Sequence, residues 1–150
     1  MTIRLSTERG ALARLTATIG LGAAAAVHAA WASGSTWPTD GPDELADLVV
    51  GRPPFPSTRD TWVVAALLAG ATVTVAAPPS KGRLGPWHRR ARASLAAVLF
   101  ARGAAGLVGS ATGLFSTSAA FRRWNLGLYS PLCLVLSACV AASRPRAGVR

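Results

Sequence analysis

Four long apolar stretches constrain this 150-residue chain more than any other feature. They run over residues 11–33, 61–77, 93–115 and 126–143, and each is long enough to cross a hydrocarbon core about 30 Å thick as a helix. Only helices and closed barrels satisfy their own backbone in lipid, and the stretches show no alternation of apolar and polar residues, so helices are expected. The fold class that follows is all-α: a polytopic membrane protein whose spans form a four-helix bundle, with residues 1–150 as a single domain. Half the residues are hydrophobic (51%), which fits this class and not a disordered tail.

The formal charge of +10 would suggest nucleic acid only if the basic residues gathered on one folded face. They lie instead between the apolar stretches, so no nucleic-acid partner is expected. With both termini inside, the inside segments carry 11 Lys and Arg and the outside segments four, leaving Arg102 within the membrane. N-in, C-in follows, and Trp31, Trp37, Trp62 and Trp124 then fall at the outer boundary, where amphipathic rings prefer to sit. A cleaved secretory signal is the rival reading of the first stretch, which has a basic start and Ala30-Trp-Ala32 near its end. Its apolar run is longer than a signal core, and further spans follow. The expected location is a bacterial inner membrane.

The connections are informative too. Residues 34–60 form a loop holding five of the six acids. Within it Asp43–Val50 fits a short amphipathic helix ended by the Pro53-Pro-Phe-Pro56 cluster. Lys81, Arg83, Arg89, Arg90 and Arg92 crowd the loop before the third span. No internal repeat is visible.

Arg102 lies inside the third span. Ionisable groups at this depth are costly and usually face a bundle interior or a wet cavity. At about 100° per residue, Arg102 shares a helix face with Gly106, Gly109 and Gly113, and the Gly109-xxx-Gly113 spacing suits close helix packing. No acid lies in any span, so its expected partners are neutral groups such as Thr72 or Thr74, or an anionic ligand. Purely structural satisfaction of the arginine within the bundle is an equal reading. His28, a turn before Trp31, is expected as a hydrogen-bonded packing residue, with a ligand role as the alternative. Metal binding is not expected, because His88 falls on the opposite side. Ser130-Pro131 reads as an N-cap and first helical position, so the last span would restart inside the membrane. Asn125, Tyr129 and Ser130 would then gather with His28 and Trp31 at the outer mouth. Cys133 and Cys139 fall on different faces and imply no disulfide.

Val27-His-Ala-Ala-Trp-Ala-Ser-Gly-Ser-Thr-Trp-Pro38, Arg102-Gly103 and Leu128-Tyr-Ser-Pro-Leu-Cys-Leu134 together resemble the domain-of-unknown-function 3995 family of small bacterial membrane proteins. The resemblance implies four helices and no established activity. It also implies an acidic residue in many members where this chain has Asn125, so a carboxylate role does not carry over to that position.

The residues point to a non-enzymatic bundle with an outward pocket for a lipid or small amphiphile, floored by Arg102 and walled by His28, Trp31, Trp37, Asn125 and Tyr129. The alternative is an interaction subunit docking a partner helix, or a second copy, through the glycine face of the third span. A lipid-modifying enzyme using His28 as base is the minor alternative; no oriented carboxylate or activated nucleophile accompanies that histidine, and no cofactor is expected.

Overall fold

A computed structural model describes residues 2–78, 82, 84–114 and 117–143, with side chains from Glu8 onward. It contains α1 (Thr2–Ala32), α2 (Pro42–Val49), α3 (Thr58–Ala76), α4 (Leu84–Thr112), α5 (Ala119–Trp124) and α6 (Ser130–Ala142). A π-helical turn, Asn125–Tyr129, joins α5 to α6, so 119–142 is one continuous helical rod. No strand occurs among the described residues. The structure is all-helical, and four of its helical rods are long and apolar enough to cross a membrane: 8–32, 58–76, 84–112 and 119–142.

Only 11–28% of the most apolar window in each rod is buried, whereas a water-soluble bundle would turn such residues inward. Leu15, Ile19, Leu67, Val73, Val98, Phe100 and Val108 stand exposed around the outside, as a lipid-facing belt requires. The interior is correspondingly slim. Ala17 and Leu21 of α1, Val75 of α3, Ala96 and Leu99 of α4, and Leu136 and Val140 of α6 form the apolar core. These residues lie in the half of the bundle nearer the chain termini.

Helix order in space differs from order in sequence. α1 packs against α3 on one side and α6 on the other, and α6 packs against α4, while α3 and α4 touch only lightly. The α1–α6 approach is close at Gly20, where an added Cβ would lie 2.6 Å from Leu136 Cδ2. At the termini end, Arg92 is buried and donates from Nη2 to Val75 O (3.3 Å) and Ser143 Oγ (2.8 Å). His88 Nε2 lies 2.8 Å from Thr74 O. Both contacts meet the last turn of α3, where unpaired carbonyls and the negative end of the helix dipole favour a cation. The third apolar rod therefore begins earlier than residue 93, with Arg92 inside the bundle.

At the opposite end, α2 lies beside α5. Ser118 caps α5 by accepting from Phe121 N (3.0 Å), donates from its hydroxyl to Asp47 O (2.8 Å), and gives its own N–H to Gly51 O (2.9 Å). Gly51 sits at φ +93°, and a Cβ there would meet Thr117 at 2.8 Å, so this crossing suits only glycine. α4 stops at Gly113, whose φ of +68° lets Leu114 N–H reach back to Gly109 O (3.1 Å), a Schellman-type ending. Gly113 is thus exposed at a helix terminus, and not on a packing face as the sequence spacing suggests.

Candidate functional site

Pro131 shapes the centre of the last rod. It has no N–H for the carbonyl of Gly127, and its ring presses on that turn. Ser130 N–H instead bonds to Asn125 O, one residue further back than an α-helix allows, which widens the turn. Ser130 keeps helical dihedrals (φ −71°, ψ −46°). It therefore stands inside a continuous helix and does not serve as the N-cap of a new one, because the π turn absorbs the proline without a break.

In an α-helix, residues five apart point about 140° away from each other. The π turn brings Asn125 and Ser130 onto one face, where Ser130 Oγ donates to Asn125 Oδ1 (3.0 Å). Both are buried, Asn125 to 1% exposure. Asn125 Nδ2 donates to Gly106 O (2.8 Å) and Ser110 Oγ (2.7 Å) on α4. These partners fix the amide's orientation, since the carbonyl can only accept and Arg102 on the other side can only donate.

Arg102 donates from Nη1 and Nη2 to the same Asn125 Oδ1, each at 3.4 Å. Both bonds are long, and the acceptor is neutral. Among the described residues the guanidinium has no other hydrogen-bond partner. Thr72 and Thr74 are not near-neighbours of this kind: their hydroxyls bond their own helix at Leu68 O and Gly70 O, each at 2.8 Å. The guanidinium lies beside Gly106, one turn towards the α2 end, where a Cβ would be 2.5 Å from Nη1, 3.1 Å from Asn125 Nδ2, and in contact with Ser130 Oγ. Gly103 meets Leu134 and Ser130 O at 2.8–2.9 Å in the same way. Gly103, Gly106 and Gly109 are all buried. At Gly103 and Gly106 the glycine face is thus filled by the chain's own last helical rod.

An open cavity of about 600 Å³ adjoins this cluster. It is lined by Arg102, Ala105, Gly106 and Ser110 of α4, by Val50, Arg52, Leu114 and Thr117 from the two loops, and by Phe121 and Asn125. Arg52, Arg102, Ala105 and Leu114 are exposed along it. Two guanidinium groups therefore share a cavity whose lining includes no acid.

Of the six residues expected at a ligand site, only Arg102 and Asn125 line this cavity. His28, Trp31 and Trp37 gather elsewhere, around the end of α1: His28 Nδ1 lies 2.8 Å from Ala24 O, its ring packs edge-on against Trp31 (5.1 Å), and Trp31 Nε1 donates to Trp37 O (2.7 Å). Phe55 closes that group, 6.2 Å from Trp31. Tyr129 stacks on Trp124 at 6.4 Å and leans on Phe121 at 6.3 Å. The π turn directs Asn125 and Ser130 towards α4 and leaves Tyr129 with the aromatic residues of α5, so the expected single mouth resolves into separate clusters. Arg52 and Ser110 also line the cavity, which spacing alone does not reveal. Among the described residues, no three His, Cys, Asp or Glu side chains come together.

A family model described as "Protein of unknown function (DUF3995)" matches residues 21–140, which includes every residue of this cluster. The chain belongs to the DUF3995 family. No curated protein and no solved structure matches it. In this DUF3995 protein the matched segment starts within α1 and ends within α6, so the family region takes in the C-terminal part of α1, the two middle rods, the α2 loop, the π turn and most of α6.

Proposed function

We propose that this DUF3995 protein is a four-pass membrane protein that binds the anionic head of a membrane lipid or small amphiphile in the cavity beside Arg102. The observation that carries the reading is a guanidinium at membrane depth whose hydrogen bonds among the described residues go to one neutral amide oxygen. A charge in such surroundings calls for a counter-charge, and an amphiphile can supply it from the bilayer. Exposed apolar residues continue from the cavity along α4, at Val98 and Val108, giving acyl chains a surface to follow. With the basic α3–α4 connection held at the cytoplasmic side, the cavity opens towards the outer leaflet. The Asn125 network holds the receiving groups in place, and nothing in this role requires bond chemistry.

Native mass spectrometry of the full chain with its co-purified lipids tests the reading. Arg102→Gln should remove bound anionic amphiphile, whereas His28→Ala, in the separate aromatic cluster, should leave it. Retention of the same lipids by Arg102→Gln would overturn it.

A further inference from the structure

Resting on that reading, we propose that Arg52 and Arg102 together grip a single phosphate group, so that the ligand is a phosphate-headed lipid and not a fatty acid. The two arginines come from different parts of the chain. Arg102 is anchored on α4 beside the buried Asn125, while Arg52 follows the Gly51 crossing that ties the α2 loop to Ser118 and Thr117. Among the described residues Arg52 has no hydrogen-bond or ion-pair partner. Placing two cations in one cavity without an acid is unfavourable unless an anion lies between them.

Oxygen geometry selects the anion. A carboxylate offers two oxygens in one plane, which a single guanidinium fork satisfies. A phosphate offers oxygens in several directions and can engage two forks at once. Charge points the same way, because a phosphate monoester carries about −1.5 to −2 at neutral pH and balances two guanidinium groups, whereas a carboxylate balances one. The cavity volume suits a headgroup and the first part of a chain, with the remainder leaving along the exposed face of α4.

The test is a native mass spectrometry titration of the detergent-solubilised full chain with dioleoyl phosphatidic acid, oleate and inorganic phosphate. Phosphatidic acid should bind more tightly than oleate. Arg52→Gln should weaken phosphatidic acid by about tenfold or more, the worth of a charge-assisted bidentate pair, and weaken oleate by a smaller factor. Arg52→Lys, which keeps the charge but loses the fork, should recover part of the affinity. Arg102→Gln should weaken both lipids. Arg52 is exposed, so its loss removes no packing. If Arg52→Gln binds phosphatidic acid like the parent while Arg102→Gln does not, the two-arginine grip is wrong and the Arg102 pocket survives. If neither variant changes binding, both readings fall. Arg52-dependent competition by inorganic phosphate would identify free phosphate as a sufficient source of the same chemistry; no competition would assign the site to the lipid.

Discussion

Replacing glycines one at a time separates the stability of the α4–α6 contact from the working of the site. A Cβ at Gly103 would lie 2.8 Å from Leu134 Cγ and 2.9 Å from Ser130 O. The leucine can turn, but the carbonyl belongs to the backbone of the first turn of α6 and cannot move without shifting that helix. Such overpacking costs about 1–3 kcal/mol, against which Ala regains about 0.5–1 kcal/mol of helix propensity, so Gly103→Ala should lose about 1 kcal/mol net. At Gly106 the obstructing atoms are Ser130 Oγ, Arg102 Nη1 and Asn125 Nδ2, and the serine and asparagine are buried and hydrogen-bonded to each other. Gly106→Ala should therefore cost at least as much stability and, unlike Gly103→Ala, also push the guanidinium off its seat and reduce lipid binding. Gly70, exposed on α3 with nothing within 4 Å of an added Cβ, is the control and should be neutral or slightly stabilised by Ala. Reversible unfolding in mixed micelles, followed by far-UV circular dichroism, gives the stability order, and native mass spectrometry gives binding. The packing argument would be falsified if Gly103→Ala proved as stable as Gly70→Ala.

Asn125→Leu removes the partners of Ser130 Oγ, Arg102, Gly106 O and Ser110 Oγ together; at about 0.6 kcal/mol per hydrogen bond in a membrane interior, it should destabilise by about 2–3 kcal/mol in the same unfolding assay. Arg92→Met should lose about 1–3 kcal/mol by stripping the cation from the ends of α3 and α6, while Arg89→Met on the exposed side stays within about 0.5 kcal/mol, and equal losses would contradict the buried placement. In a Cys133→Ala, Cys139→Ala background, Ala105→Cys should react with a membrane-impermeant maleimide added outside intact cells and be slowed by phosphatidic acid, whereas Ala96→Cys, in the core, should not react. Protection of both positions without added lipid would rule out a wet cavity.

Much of this arrangement is legible in the sequence because span length, capping and turn residues, and helical periodicity are local quantities. The four rods, the short helix at 42–49 and the inward glycines at 106 and 109 all follow from them. Hydropathy leaves Arg92 in the loop because a window ends at the first cluster of charge, whereas a helix that finds a carbonyl at its neighbour's end can carry an arginine inward. The Ser130-Pro131 pair reads as a break because proline usually ends a helix; the widened turn that accommodates it packs against α4 at Gly103 and Gly106, a tertiary fact. His28 and Arg102 are expected to share one pocket, yet sequence says nothing about which rods adjoin. The order α3–α1–α6–α4 puts α1 and α4 on opposite sides of α6, and the two residues part company there.

The two arginines of α4 that meet neighbouring helices illustrate opposite ways of placing a charge in an apolar bundle. Arg92 is buried against a helix-end carbonyl and the Ser143 hydroxyl, where backbone dipoles favour its charge. Arg102 is exposed on a cavity and faces an amide that already donates to two acceptors on α4 and accepts from Ser130. A chain needing only structural neutrality at Arg102 could place a carboxylate at position 125, which would satisfy the guanidinium outright. Asn125→Asp makes that substitution: it supplies the charge and gives up the donors to Gly106 O and Ser110 Oγ. If the neutral amide is there to leave Arg102 open to an external anion, the aspartate should pair with Arg102 and abolish phosphatidic acid binding even where the variant remains folded. Undiminished binding by Asn125→Asp would mean that the anion is not recognised through Arg102.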